Sequence, residues 1–114
     1  MQIGSIQKAL NIKDKEEQYK KIGKVFENIE SIDIIDLIIA KEELFKDKEE
    51  IEELLNYINI IFFEKAKINS KYVECMKIVE DTKDRLNKNN NYDMTIDHFI
   101  YTVWEEVNGK HYRS

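Results

Sequence analysis

Proline is absent from the 114 residues, glycine occurs 3 times and cysteine once. A chain so poor in the residues that fix or invert φ cannot supply the many tight turns of an all-β fold. The single cysteine, Cys75, has no partner in the chain, so no intrachain disulfide can form. It stands beside Met76 in a helical pattern, without the neighbouring His or Arg that would activate a thiol, and reads as a small packing residue. No apolar run approaches the roughly 18 residues of a membrane span. Met1-Gln2-Ile3-Gly4 leads directly into polar sequence rather than a secretory hydrophobic region, so a cytoplasmic location is expected. Excess positive charge is missing too. The net charge is -5 and the lysines are interleaved with glutamates. No basic stripe forms for phosphate contacts, and direct nucleic-acid binding is not expected.

What is present suits helices. Hydrophobic residues make up 42% and charged residues 36% of the chain, a profile of a helical bundle large enough to bury one core. Gly4-Ser5 with Ile6, Ala9 and Leu10 predicts a short capped helix. From Asp14 to about residue 29 a helix carries Tyr19, Ile22, Phe26 and Ile29 on one face, and Gly23 inside it suits a close helix contact. Asp33, with Asp36 at the reciprocal position, is the expected cap of a helix to about residue 46. That helix carries Ile34, Leu37, Ile38, Leu44 and Phe45, and Ile35 and Ile39 widen its apolar side beyond an ordinary stripe. Asp47 resembles the start of a capping box for a helix over 48–68. Its main face is Leu54, Leu55, Ile58, Ile61 and Phe62, and Tyr57, Ile60 and Phe63 load a second face, so packing on both sides is expected. Asn69-Ser70 separates it from a helix with Tyr72, Cys75, Met76, Val79 and Leu86 along one side. Thr95 is the expected N-cap of the last helix, with Asp97 near the positive end of its dipole. That helix carries Ile96, Phe99, Ile100, Val103 and Val107 and closes at Asn108-Gly109. The sequence thus predicts an all-α single bundle of about five longer helices plus a short N-terminal one.

Little in the chain points to chemistry. The two histidines are His98 and His111, with no HExxH and no Glu-x-x-His that would serve a metal site. There is no glycine-rich phosphate loop. The acidic pairs Glu42-Glu43, Glu49-Glu50 and Glu52-Glu53 fall where solvated faces belong, and His98 beside Asp97 reads as a surface pair. No catalytic, cofactor-binding or metal-binding residue is therefore expected, and no cofactor. Tyr57, Phe62, Phe63, Tyr101 and Trp104 lack the positive groove that base-stacking platforms use, so core or subunit contact is the better role. Trp104, one turn beyond Ile100 at the edge of the stripe, is a candidate interface anchor, with plain core as the equal alternative.

Three stretches share a resemblance. Asn89, Asn91, Met94, Ile96-Asp97 and Phe99-Ile100 form one. Gly4, Ser5, Lys8, Ala9 and Leu10 form a second, and Leu54-Leu55 through Ile61-Phe62-Phe63 to Lys67 the third. In order and spacing they resemble the collar region of clamp-loader subunits, in particular the delta-prime family of the bacterial DNA polymerase III. The resemblance implies that residues 1–12 close an AAA+ lid, 13–108 form the helical collar and 109–114 a flexible tail. Lys8 would occupy the basic sensor position, where arginine is usual in ATP-binding relatives; delta-prime subunits are not expected to hydrolyse ATP, and an ordinary surface lysine is the better reading of Lys8. The implied role is non-catalytic oligomerisation within the pentameric ring that loads the sliding clamp during DNA replication. The implied partners are the delta and gamma/tau subunits, with no membrane, nucleic-acid or small-molecule ligand for this domain. The sequence departs from the family in Met94 for leucine, Asp97 for glutamate and the missing proline after the asparagines. An unrelated helical interaction or regulatory module has the same composition, and a helical enzyme would need a constellation the sequence does not display.

Overall fold

A computed structural model describes residues 2–88 and 91–109, with side chains from residue 14 onward. The chain is all-helical, and no strand occurs among the described residues. Five α-helices are found: α1 (Gln2–Glu27), α2 (Ile34–Leu44), α3 (Ile51–Ala66), α4 (Lys71–Asn87) and α5 (Tyr92–Asn108). A 3-10 turn, Lys48–Glu50, precedes α3.

The expected short N-terminal helix is not separate. It runs into the following one as a continuous 26-residue α1, because nothing between Ile12 and Asp14 interrupts helical backbone. The caps differ from expectation in an instructive way. α5 begins at Tyr92, not after Thr95: Asn91 is the N-cap, and its Oδ1 accepts a hydrogen bond from the Met94 amide at 2.9 Å. That satisfies an orphan donor of the first turn and moves the start upstream, leaving Thr95 buried inside the helix. Asp33 does occupy the N-cap of α2, but its side chain makes no capping bond. Asp47 caps the 3-10 turn, accepting from Glu49 N at 3.1 Å, so α3 proper starts at Ile51 and stops at Ala66. Before α4 it is Asn69 whose carboxamide accepts from the Lys71 amide, at 3.1 Å, and not the Ser70 hydroxyl. Gly109 ends α5 in right-handed conformation (φ -69°), so no left-handed glycine stop is used.

The helices pack in a closed circuit: α1 on α3, α3 on α4, α4 on α5, α5 on α2 and α2 back on α1. Phe26 of α1 stands at the centre. Its ring lies 6.4 Å from that of Phe45, 5.9 Å from Phe62 and 6.2 Å from Phe99, so it touches α3, α5 and the end of α2. Ile22, Leu37, Leu55, Ile58, Cys75, Val79 and Val103 fill the remaining space. Thr82, also buried, bonds back to the Ile78 carbonyl at 2.8 Å. Gly23 is where α1 approaches α3: a Cβ there would lie 3.0 Å from the Tyr57 hydroxyl.

Candidate interaction surfaces

Among the described residues, two apolar faces on the helices α2 and α3 remain open to solvent. On α2, Ile35 is 61% exposed, Ile38 48% and Ile39 66%. Leu37, Leu44 and Phe45 take the core side of the same element, and a helix only partly surrounded cannot bury isoleucine on every side. The second face lies on α3, where Ile60 is 60% and Phe63 51% exposed. Two-sided packing of α3 is therefore only partly realised. Tyr57 is covered by α1, its ring 5.0 Å from Tyr19 in an edge contact, whereas Ile60 and Phe63 stay wet apart from Lys67, whose ammonium lies 5.1 Å from the Phe63 ring centre. In the circuit α1 stands between α2 and α3, so the two faces belong to helices that are not neighbours in it.

The α2 face has an acidic border. Asp33 and Asp36 flank its first turn and Glu42 its last, all exposed. Lys41, the one cation of α2, donates to Asp97 across the α2–α5 contact and lies 3.7 Å from Glu42. The Asp97 hydrogen bond, with its charge, holds the Lys41 ammonium above its usual range despite partial desolvation. On the α1 side, Lys21 donates to Glu43 at 2.7 Å, a bond that lowers the Glu43 carboxyl. Next to it an apolar groove of about 460 Å³ opens between α1 and α2, with Val25, Ile32 and Ala40 among its lining and Lys24 on its α1 wall. A second recess, between α1 and the 3-10 turn, is lined by paired charges such as Lys15–Glu50 at 3.0 Å.

The residues singled out in the sequence are dispersed. Asn91 is a helix cap and Asp97 the partner of Lys41. Trp104 is half-buried against the core and donates its indole N–H to the Ile32 carbonyl at 2.9 Å, tying α5 to the loop between α1 and α2. Gly4, Ser5 and Lys8 fall within α1, their side chains outside the described residues, as is Asn89 altogether. His98 is exposed and receives the Arg85 guanidinium on Nδ1 at 3.5 Å. Cys75 is buried, and desolvation pushes its thiol up to about 12. Tyr72 is held well above the phenol range by burial and then by its hydrogen bond to Glu30. Among the described residues no group of three or more His, Cys, Asp or Glu is placed to hold a metal ion, and no helix is long and apolar enough to cross a membrane. In the sequence Asp33 and Asp36 read as a helix cap and Glu42 as half of a solvated acidic pair; their grouping beside the isoleucines needed the helix bounds.

No family model matches the chain, and neither a curated protein nor a solved structure matches it.

Proposed function

We propose that this chain is a helical assembly module and, in its specific form, the collar domain of a delta-prime subunit of the bacterial DNA polymerase III clamp loader. The observation that carries the assembly role is the pair of separate apolar faces, Ile35-Ile38-Ile39 and Ile60-Phe63, on two helices of one bundle that α1 separates in the circuit. A subunit in a ring has two different neighbours and needs two such faces, set at a fixed angle by a packed core. Burying them supplies adhesion, and the charges beside them discriminate between neighbours. The specific assignment is supported by the resemblance at Gly4-Ser5, Leu54-Leu55 and Asn89 to Ile100. In this role the domain binds the delta and gamma/tau subunits, and ATP turnover and clamp opening belong to other parts of the ring.

Native mass spectrometry of the purified chain mixed with delta and gamma/tau subunits tests the assignment. A complex containing one copy of the chain per ring is expected. If the chain stays apart at every subunit ratio, the collar assignment is wrong and only the general assembly role remains.

A further inference from the structure

We propose that the outer face of α2 docks an amphipathic helix of a partner protein, one whose apolar stripe is bordered by lysine or arginine. Ile35, Ile38 and Ile39 stand at i, i+3 and i+4, the spacing of a single stripe on one helix, and each is largely in water. The packed core has no call on them, because Leu37, Leu44 and Phe45 already fill it from this element. α2 and α5 run antiparallel, as the contacts of Trp104 with Ile32 and of Tyr92 with Phe45 at their opposite ends require. Ile38, one turn before Lys41, and the exposed Tyr101, one turn after Asp97, are thus displaced toward the same end from the Lys41–Asp97 pair.

Charge decides the occupant. Asp33, Asp36 and Glu42 border the stripe, while Lys41 is engaged by Asp97 and Glu42, and Lys21 by Glu43. Lys24 in the adjoining groove, and Lys46 in the recess beside Glu42, offset part of this charge and leave Asp33 and Asp36 on the stripe's N-terminal half. A second copy docking α2 on α2 would bring Asp36 and Glu42 against the same residues of its partner, a like-charge contact that opposes association. Phosphates of nucleic acid or anionic lipid are repelled for the same reason. A basic amphipathic helix meets both requirements. Its aliphatic anchors at i, i+3 and i+4 cover the isoleucines, and its cations reach Asp36 and Glu42 in the helix-on-groove mode of recognition. The proposal rests on the assembly reading in so far as the partner is a protein, and it does not require that partner to be a clamp-loader subunit.

The test is an NMR titration of the isotopically labelled chain with two synthetic helical peptides that share their leucine positions. One is flanked by lysine, the other by glutamate. The lysine peptide is expected to perturb amides of α2 and to bind about tenfold or more tighter than the glutamate peptide, a preference that fades at high salt. The double variant Asp36→Lys, Glu42→Lys should reverse the preference while its circular dichroism stays that of the parent. Equal binding of the two peptides, or perturbation confined to the Ile60-Phe63 face, overturns the proposal. So does a dimer in sedimentation that Ile39→Asp abolishes, which would make a second copy the occupant. Co-sedimentation with phosphatidylglycerol vesicles would make it a membrane. Peptide preference without assembly on delta and gamma/tau removes the collar assignment alone; assembly without the preference removes the docking proposal alone.

Discussion

Asn91 decides where α5 begins. Its Oδ1 meets the Met94 amide at 2.9 Å, and its carbonyl accepts from the Thr95 amide at 3.0 Å. Asn91→Ala should cost about 1 kcal/mol in urea unfolding, with Asn91→Asp recovering most of it, since a carboxylate caps equally well. Trp104 is held by one directed bond and much apolar contact. Trp104→Phe should lose about 1 kcal/mol by leaving the Ile32 carbonyl without its donor, and Trp104→Ala several times that. Tyr92 adds a pH dependence. Its hydroxyl donates to the Phe45 carbonyl at 2.6 Å, and burial holds its phenol up at about 12. An unfolded tyrosine ionises near 10, roughly, so the folded state favours the protonated form. That stabilisation is complete below the unfolded value and is lost as pH rises through the folded one. Cys75, pushed up to about 12 by burial, acts in the same direction from a lower starting point. Urea titrations at stepped alkaline pH should therefore show stability falling between about pH 8.5 and 12, with a shallower fall above about pH 10 in Tyr92→Phe. An unchanged slope in that variant would remove Tyr92 from the account.

At the scale of the element, α1 and α3 meet where glycine and tyrosine fit together. A Cβ on Gly23 would lie 3.0 Å from the Tyr57 hydroxyl, so the roughly 1 kcal/mol of helix propensity that Gly23→Ala offers is opposed by a crowded contact. Gly23→Ala alone should be near neutral, whereas in a Tyr57→Phe background it should stabilise by about 0.5–1 kcal/mol. A double-mutant cycle by urea unfolding measures the difference, and strict additivity would refute the contact. The periodicity that made these helices legible was strong. Ile22 and Phe26, Leu54 to Phe62, and Phe99 to Val107 are buried as their spacing required. Helix starts were harder, because asparagine, serine and threonine compete for one cap within a few residues. Asn91 over Thr95, and Asn69 over Ser70, are choices made by carboxamide reach. The surplus apolar residues were readable on α2 and α3, but not which would remain wet. That depends on which neighbours the circuit provides: Tyr57 gained α1, and Ile60 and Phe63 gained nothing comparable. Trp104 illustrates the other limit, since its position one turn past Ile100 gave no sign of a bond to Ile32, 72 residues away.

Over the whole molecule, one residue ties the helices into a single cooperative unit while the two open faces stand outside it. Phe26 contacts rings from three other segments at 5.9–6.4 Å. Removing its ring leaves a cavity shared by α1, α3, α5 and the end of α2, so these four cannot keep their packing independently. Phe26→Ala should cost about 3–5 kcal/mol, a large part of the roughly 5–15 kcal/mol expected for a domain. By contrast, Ile60→Gln with Phe63→Gln should change stability by no more than about 0.5 kcal/mol each, because those side chains already lie largely in water. The same double variant should weaken attachment of whichever subunit covers the α3 face. Cooperativity is checked by following helix content through far-UV circular dichroism and the α2–α5 region through Trp104 fluorescence. With Phe26 central to both, the two transitions should coincide in the parent chain and shift together in Phe26→Ala. If fluorescence reports an intact Trp104 site after the helix signal has begun to fall, α2 and α5 hold together without α1. The face on α2 would then be carried by part of the bundle rather than by a rigid whole, and the fixed angle between the two faces that the proposed ring assembly requires would be lost.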